Sequence, residues 1–425
     1  MSFNTALSGL RAANQDLAVT GNNIANASTT GFKESRAEFG DVYANSILGT
    51  GARTPGSGVL VNAIAQQFSQ GNVNITNNSL DLAINGNGFF ILNNQGSPAY
   101  TRAGAFGLDN QGYITATNGG KLQGFVANAS GQILSGAMAD LKIQTQDIAP
   151  NSTTSVNWRL NLDSTDTLPA TATFNTADAS SYNWSTAATV YDSLGNSHTL
   201  TSYYTKTNNV VPAPGGTEWQ VRTDLDSSGT AHLLGTVRFD TTGGLVGATP
   251  PAVAPAVTGV FSSTPVLADT WPGANGANAI TFKLNYGSTT QFGTDSTVNS
   301  LSQDGYAPGR LSGIDIDDSG VVFARYTNGQ ALTLGQVALA NFANPQGLSP
   351  VGNTAWAESF DSGQPVVGAP QSGSRGSIQA GALEDSNVDI SSQLVNLILA
   401  QRNYQANAKT IETDNAVTQT IINLR

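Results

Sequence analysis

Both ends of the chain carry apolar residues at helical, near-heptad spacing, and this pattern constrains the fold more than any other feature. In the first 26 residues Phe3, Leu10, Leu17 and Ile24 recur every seven positions, with Leu7 beside them and Ala6 and Ala13 at the intervening spacing. Such a stripe predicts a helix with a coiled-coil seam. Gly9 and Gly21 weaken that helix by about 1 kcal/mol each. The run NASTTG, ending at Gly31, predicts its end near Asn26–Gly31. The C-terminal pattern is longer. From Ala382 to Arg425 there is no Gly or Pro, and Ile390, Leu397, Tyr404 and Ile411 are seven apart. Leu394, Ile398, Val417, Ile421 and Leu424 extend the stripe, and Asp389 stands where an N-cap is expected.

A helix of this kind must cover its stripe. Two such helices that meet only each other bury one seam and leave their flanks bare, and a lone helix is marginal in water. One outcome is an intramolecular helical pair packed on a β domain. The other is assembly, in which the ends order on neighbouring subunits and form a ring or a filament.

Between the ends the pattern is β. LDLAINGNGFFILNN (80–94) places two apolar runs around Asn85-Gly86-Asn87-Gly88, a hairpin signal. Turns are expected at 110–112, 118–120, 318–320 and 328–329, with alternating runs between them. HTLTSYYT and EWQVRTDL read as strands of a middle segment. Gly/Ser/Pro-rich stretches at 50–58 and 361–376 read as linkers, and an Ala/Pro/Val-rich stretch lies at 246–265. The fold expected is mainly β with terminal α-helices, the helices paired as a coiled coil and one β domain inserted in another. The divisions are a helical domain at 1–28 and 383–425, connecting regions at 29–71 and 362–382, an inner β domain at 72–147 and 299–361, and an outer β domain at 148–298.

Composition narrows the function. Charged residues are only 11% of 425, the net charge is −11, and no basic patch stands out, so nucleic acid and anionic membrane are poor partners. Cysteine is absent, which removes disulfides, thiolate catalysis and Cys-based zinc sites. No basic start with an apolar core region is present, and no apolar run approaches the ~20 residues of a membrane span, so no cleavable signal and no membrane insertion are expected, and if the chain leaves the cell it does so by a route that uses no secretory signal. Chemistry is equally sparse. His198 and His232 lie outside any ligand-spaced cluster and read as ordinary strand histidines. Asp315–Gly320 starts like a calcium loop, but Tyr326 occupies the position that needs a bidentate acid, so a turn is expected. Asn85–Gly88 lacks the Lys and helix of a phosphate loop, and Asp317/Asp318 and Asp224/Asp226 sit in turn-like contexts. No catalytic residue, metal site or cofactor is expected.

These residues resemble a known family. ALSGLRAANQDLAVTGNNIANASTTGFK (6–33) is similar to the N-terminal motif shared by flagellar rod, hook and hook-associated proteins. LDLAINGNGFFIL (80–92), LGQVALANFANPQGL (334–348) and the C-terminal 381–425 resemble that family's other motifs, in the same order. The inserted segment of about 150 residues points to the hook branch, because rod proteins lack it. The resemblance implies a helical homopolymer outside the cell, part of the flagellar hook, a flexible joint carrying torque from rod to filament. It implies as partners further copies of the chain, the rod, the hook cap, the hook–filament junction proteins and the flagellar type III export apparatus. It also implies that Phe3, Leu7, Leu10, Leu17 and Ile24 pack with Ile390, Leu394, Leu397, Tyr404, Ile411 and Ile421 in the inner tube. A distal rod or junction protein is the nearest alternative. A secreted carbohydrate-binding β protein, with Trp158, Trp184, Trp219, Trp271 and Trp356 as stacking platforms, is the remote one.

Overall fold

The uninterrupted run at the C-terminus forms one helix, α2 (Ile390–Asn423), in the computed structural model of the chain. Asp389 caps it: its Oδ1 accepts the Ser391 N–H at 2.8 Å, and its carbonyl accepts the first helical bond, from Gln393. The N-terminal helix, α1 (Ser2–Ala25), ends where Asn26 and Thr29 take over the last backbone bonds in turns. The structure describes residues 2–42, 56–128, 131–144, 146–207, 216–249, 266–273 and 275–423. Most of the linker reading at 50–58, most of the Ala/Pro/Val-rich 246–265, and Leu424 lie outside them.

The chain divides into two units. The first holds residues 1–145, 312–325 and 331–425. Within it, β1 (Ser35–Asp41) and β2 (Val59–Gln66) form an antiparallel ribbon against α1, in a stretch the sequence reading left as connecting chain. Two short ladders follow: β3 (Val73–Ile75) pairs with Ala382–Glu384, and β4 (Leu82–Asn85) pairs with Ser377–Ala380. These ladders tie the returning chain to the outgoing one at the root of the helices. The larger sheet is antiparallel and meandering, with β5 (Phe89–Asn94) and β6 (Ser97–Thr101) near its middle. Its core is aromatic: Phe68, Phe89 and Trp356 pack edge-to-face at 5.4–5.8 Å, and Tyr100 meets Phe342 at 4.8 Å.

The hairpin expected around Asn85–Gly88 does not form. β4 and β5 pair with different strands, and the chain crosses between sheets at Gly86 (φ 107°) and Gly88 (φ 130°). The physical reason lies in burial. Leu82, Ala83 and Ile84 are fully buried, and Phe89 to Leu92 nearly so, so neither run has the open face that a two-stranded hairpin would give it. Gly86 also passes close to Gly376, whose Cα would lie 3.1 Å from an added Cβ. The other expected turns form. Strands Phe106–Leu108, Ile114–Ala116 and Lys121–Ala127 pair in sequence, and Val321–Tyr326 pairs with Ala331–Val337.

The second unit holds residues 146–311 and 326–330. It is a sandwich of two five-stranded sheets, one running Trp184–Tyr191 through Leu245–Thr249 in chain order, the other centred on Ser155–Asp163. Side chains alternate in and out along Ser155–Asp163 and Ile280–Asn285, and both sheets contribute to one core with Trp158, Tyr204, Trp219 and Phe282 at its centre.

Candidate polymerisation surface

α1 and α2 run antiparallel. Asn23 Nδ2 donates to Gln393 Oε1 at 3.2 Å near one end, and Gly9 lies against Asn407 nearer the other. A Cβ on Gly9 would come within 2.6 Å of Asn407 Oδ1, so the missing side chain permits the close approach. The buried residues of the pair are small or polar: Ala6, Ala12, Ala13, Val19, Thr20 and Asn23 on α1, Gln393 and Ala400 on α2. The seam within one chain is therefore built of alanines and polar side chains, with Val19 its one larger apolar residue.

The large apolar residues of the stripe lie outside this seam or at its edge. On α1, Leu7, Leu10, Leu17 and Ile24 are half-buried, and Phe3 is 42% exposed. On α2, Leu397 and Ile411 are half-buried, while Ile390, Leu394, Tyr404 and Ile421 are exposed. Val395, Ile398, Leu399, Val417 and Ile422 are exposed as well. Nine large apolar residues of α2 thus stand at least one-third in water. Covering the remainder is worth on the order of 10 kcal/mol gross per chain. A surface of this size on a single helix signals an interaction site.

A buried polar network holds the roots of the two helices. Glu384 sits beside β3 with its side chain fully enclosed. Its Oε1 accepts from Lys33 Nζ at 2.6 Å and from the Gly71 N–H at 2.9 Å, and its Oε2 accepts from Arg102 Nη1 at 3.1 Å. Lys33 also donates to the Ser69 carbonyl at 2.7 Å, and Arg102 to the Gly86 carbonyl at 2.8 Å. Burial pushes both cations below their usual pKa, and Glu384 opposes that shift by favouring their charged forms. Beside the triad, Asn387 accepts the Glu34 N–H at 2.8 Å and donates to the Gln67 carbonyl at 2.8 Å. Asn23 bonds both the N–H and the carbonyl of Ser35, and Gln393 donates to Glu34 Oε1 at 2.8 Å. Sequence reasoning missed this cluster. Lys33 stands inside one quoted motif and Glu384 inside another, yet nothing in the spacing shows that they meet. The one available signal was scarcity, since each charge in so uncharged a chain calls for a reason.

Among the described residues no catalytic constellation accompanies these groups. A groove of about 950 Å³ in the first unit is lined by Asn26, Phe68, Leu348 and Trp356 among others, and Lys33 is the one titratable residue among the described residues on its wall. In the second unit His198 is held between Asp226 (2.6 Å) and Asp192 (3.4 Å), while His232 stacks on Trp271 at 3.8 Å and meets Asp269 at 3.0 Å. Among the described residues no acidic, His or Cys cluster is shaped for a metal ion, and no helix is long and apolar enough to cross a membrane. The Asp317 carboxylate caps its own turn, accepting the Ser319 and Val321 N–H groups at 2.9 Å each. Four tryptophans are buried and Trp184 stacks on Tyr204, so all five serve the cores and none stands free as a sugar platform.

Comparison with known proteins agrees along the whole chain. Family models match in order: flagella basal body rod protein at 3–33, flagellar hook protein FlgE/F/G D1 domain at 83–157, flagellar basal body protein FlaE D2 domain at 161–306, and flagellar basal body rod FlgEFG protein C-terminal at 379–424. The chain is 39% identical to flagellar hook protein FlgE of Salmonella typhimurium and 38% identical to that of Escherichia coli K12, over all of both chains in each case. It is 35% identical to the Treponema pallidum protein of the same name, over 100% of this chain and 99% of that one. In fold it resembles the crystal structure of Helicobacter pylori flagellar hook protein FlgE2, with a TM-score of 0.55 at 17% identity, covering 73% of this chain and 100% of that one. The terminal helices, the β units between them and full-length identity to several hook proteins together place this chain in the flagellar hook protein family.

Proposed function

We propose that the chain is the repeating subunit of a flagellar hook, a helical tube outside the cell that bends while carrying torque from the rod to the filament. The observation that carries this reading is the exposed apolar face of α2, which its own α1 leaves uncovered. In the tube, Phe3, Leu7, Leu10, Leu17 and Ile24 pack with Ile390, Leu394, Leu397, Tyr404, Ile411 and Ile421 of the same and neighbouring copies, so that segments 1–28 and 383–425 form the polymerisation domain. The β units, inner (72–147 and 299–361) and outer (148–298), form the surrounding layers, where polar contacts slide more readily than an apolar core would. The neighbours of the tube are the rod, the hook cap and the hook–filament junction proteins, and delivery is through the flagellar export apparatus without a cleaved signal. The role is structural, with no reaction catalysed.

Electron microscopy of the purified chain after concentration tests this reading. Long curved tubes are expected. A chain that stays monomeric, or stops at short rings, overturns the hook assignment in favour of a junction or distal rod part.

A further inference from the structure

The most exposed large apolar side chain among the described residues lies away from the helices: Phe360, in the first unit, is 101% exposed. The turn that carries it is firmly held. Ser359 Oγ donates to the Gly347 carbonyl, Asn344 Nδ2 to the Asp361 carbonyl at 3.0 Å, and the buried Ser362 Oγ to the Ser359 carbonyl at 2.9 Å. Gly347 passes so close that an added Cβ would lie 2.4 Å from the Asp361 carbonyl carbon. Water thus surrounds a phenyl ring on a fixed backbone. An aromatic side chain presented in this way binds at little ordering cost, as the anchors of protein interfaces do.

The same unit offers a seat for such a ring. The groove of about 950 Å³ is lined by the apolar side chains of Ile64, Phe68, Leu348, Pro350 and Trp356, and Ile64 is 47% exposed. Phe68 and Trp356 pack edge-to-face at 5.4 Å, an arrangement that a further ring extends. Among the described residues no carboxylate lines the groove, and the Lys33 ammonium is enclosed with Glu384, so Asp361 beside the ring meets no like charge there. Gln346 and Leu348 of the wall flank Gly347, the anchor of the turn, so ring and groove are carried on one fixed segment. Asn22 and Asn26 of α1 also line the groove, which places its occupant beside the terminal helices. A knob and a matching pocket at separate places on one chain make a heterologous contact, which repeats from copy to copy.

Resting on the assembly reading above, we propose that Phe360 of one copy inserts into this groove of the next, giving the inner β layer an anchored contact in addition to the packing of the terminal helices. The occupant is a second copy of this chain. One ring is too small to hold two subunits together, so the contact acts as a hot spot within a wider interface.

Pelleting assays on the full-length chain test it. Phe360→Ser is expected to raise the concentration needed for tube formation about tenfold or more, with the monomer's thermal melt unchanged because the ring touches nothing in its own copy. Ile64→Ser is expected to act in the same direction, and the double variant to stay within about threefold of the weaker single, since both remove one contact. The chain has no cysteine, so single Phe360→Cys and Ile64→Cys chains can be mixed, assembled at raised concentration and oxidised. A crosslinked dimer is expected from that mixture and not from Phe360→Cys mixed with Val366→Cys, an exposed position outside the groove. If Ile64→Ser lowers the melt, the crosslink decides. Phe360→Ser tubes that form like the parent's, fully multiplying single effects, or a dimer through Val366→Cys in place of Ile64→Cys overturn the contact and leave the assembly reading standing. Failure of the parent itself to assemble overturns that reading and this contact with it.

Discussion

Glu384→Gln strikes the network that joins the helix roots to the β layers. The glutamine keeps the shape and one acceptor oxygen, so the Gly71 N–H can still be satisfied. What disappears is the counter-charge of two enclosed cations, Lys33 at 2.6 Å and Arg102 at 3.1 Å. Removing one partner of a buried ion pair costs about 3–5 kcal/mol. Two features hold the expected loss near the lower end, about 3 kcal/mol. The Ser69 and Gly86 carbonyls remain as acceptors, and Lys33, already shifted down by burial, can shed its proton. Arg102 cannot, and its Nε already lacks a partner. A loss of about 3 kcal/mol raises the equilibrium for opening the root more than 100-fold. Urea unfolding followed by the helical dichroism band would read the loss. Hydrogen exchange at the Gly31 and Gly71 amides, which donate to the Glu384 carbonyl and carboxylate, would place it. Lys33→Met combined with Glu384→Gln should recover at least 1 kcal/mol relative to the sum of the singles. A Glu384→Gln protein within 0.5 kcal/mol of the parent, or strictly additive singles, would refute this account of the root.

Further predictions concern the seam and the outer sandwich. Gly9→Ala should leave stability nearly unchanged, because the helix propensity it gains is offset by displacing the Asn407 amide that its Cβ meets, whereas Gly21→Ala, with open space around it, should stabilise α1 by about 0.5–1 kcal/mol; thermal melts should rise for Gly21→Ala and hardly move for Gly9→Ala. Asp192 is buried, and although that burial opposes its charge, hydrogen bonds from Asn196, His198 and Leu194 hold its carboxyl down to about 2. Its stabilising contribution is therefore present above about pH 4 and is lost as pH falls toward 2, which acid titration of the sandwich's tryptophan fluorescence would follow. For His198, burial works against the charge but the bonds to Asp226 and Asp192 prevail and raise its pKa. Its contribution is full below about pH 6.5 and fades as pH rises through the folded-state value, so His198→Gln should flatten that alkaline slope, and nuclear magnetic resonance titration of the ring should show a midpoint above 6.5.

Much of this architecture is legible in the sequence because it is written in local chemistry. The Gly/Pro-free run with Asp389 before it specifies α2, and the Asn-Gly and Asp-Ser-Gly turns specify the meander between 311 and 337. What escapes local reading is pairing over long separations. β4 and β5 look like one hairpin because the turn signal is local, but their partners lie elsewhere in the chain, at Ser377–Ala380 for β4. The β1–β2 ribbon escapes because its strands flank a Gly/Pro-rich stretch that reads as linker. At the helical pair, heptad counting finds the large residues Phe3, Leu10, Leu17 and Ile24, while the intramolecular seam uses the alanine and polar positions beside them. The large residues mark what a single copy leaves uncovered. The Lys33–Glu384–Arg102 cluster is the least legible part, since it joins three positions that neither period nor motif brings together.

Hydrogen–deuterium exchange across α2, read by mass spectrometry in dilute monomer and in concentrated, assembled protein, probes whether one copy can protect its own terminal helices. Fast exchange over 394–423 in the monomer, slowing by orders of magnitude on assembly, is the expected result. Full protection of that stretch in a dilute chain that stays monomeric would contradict it.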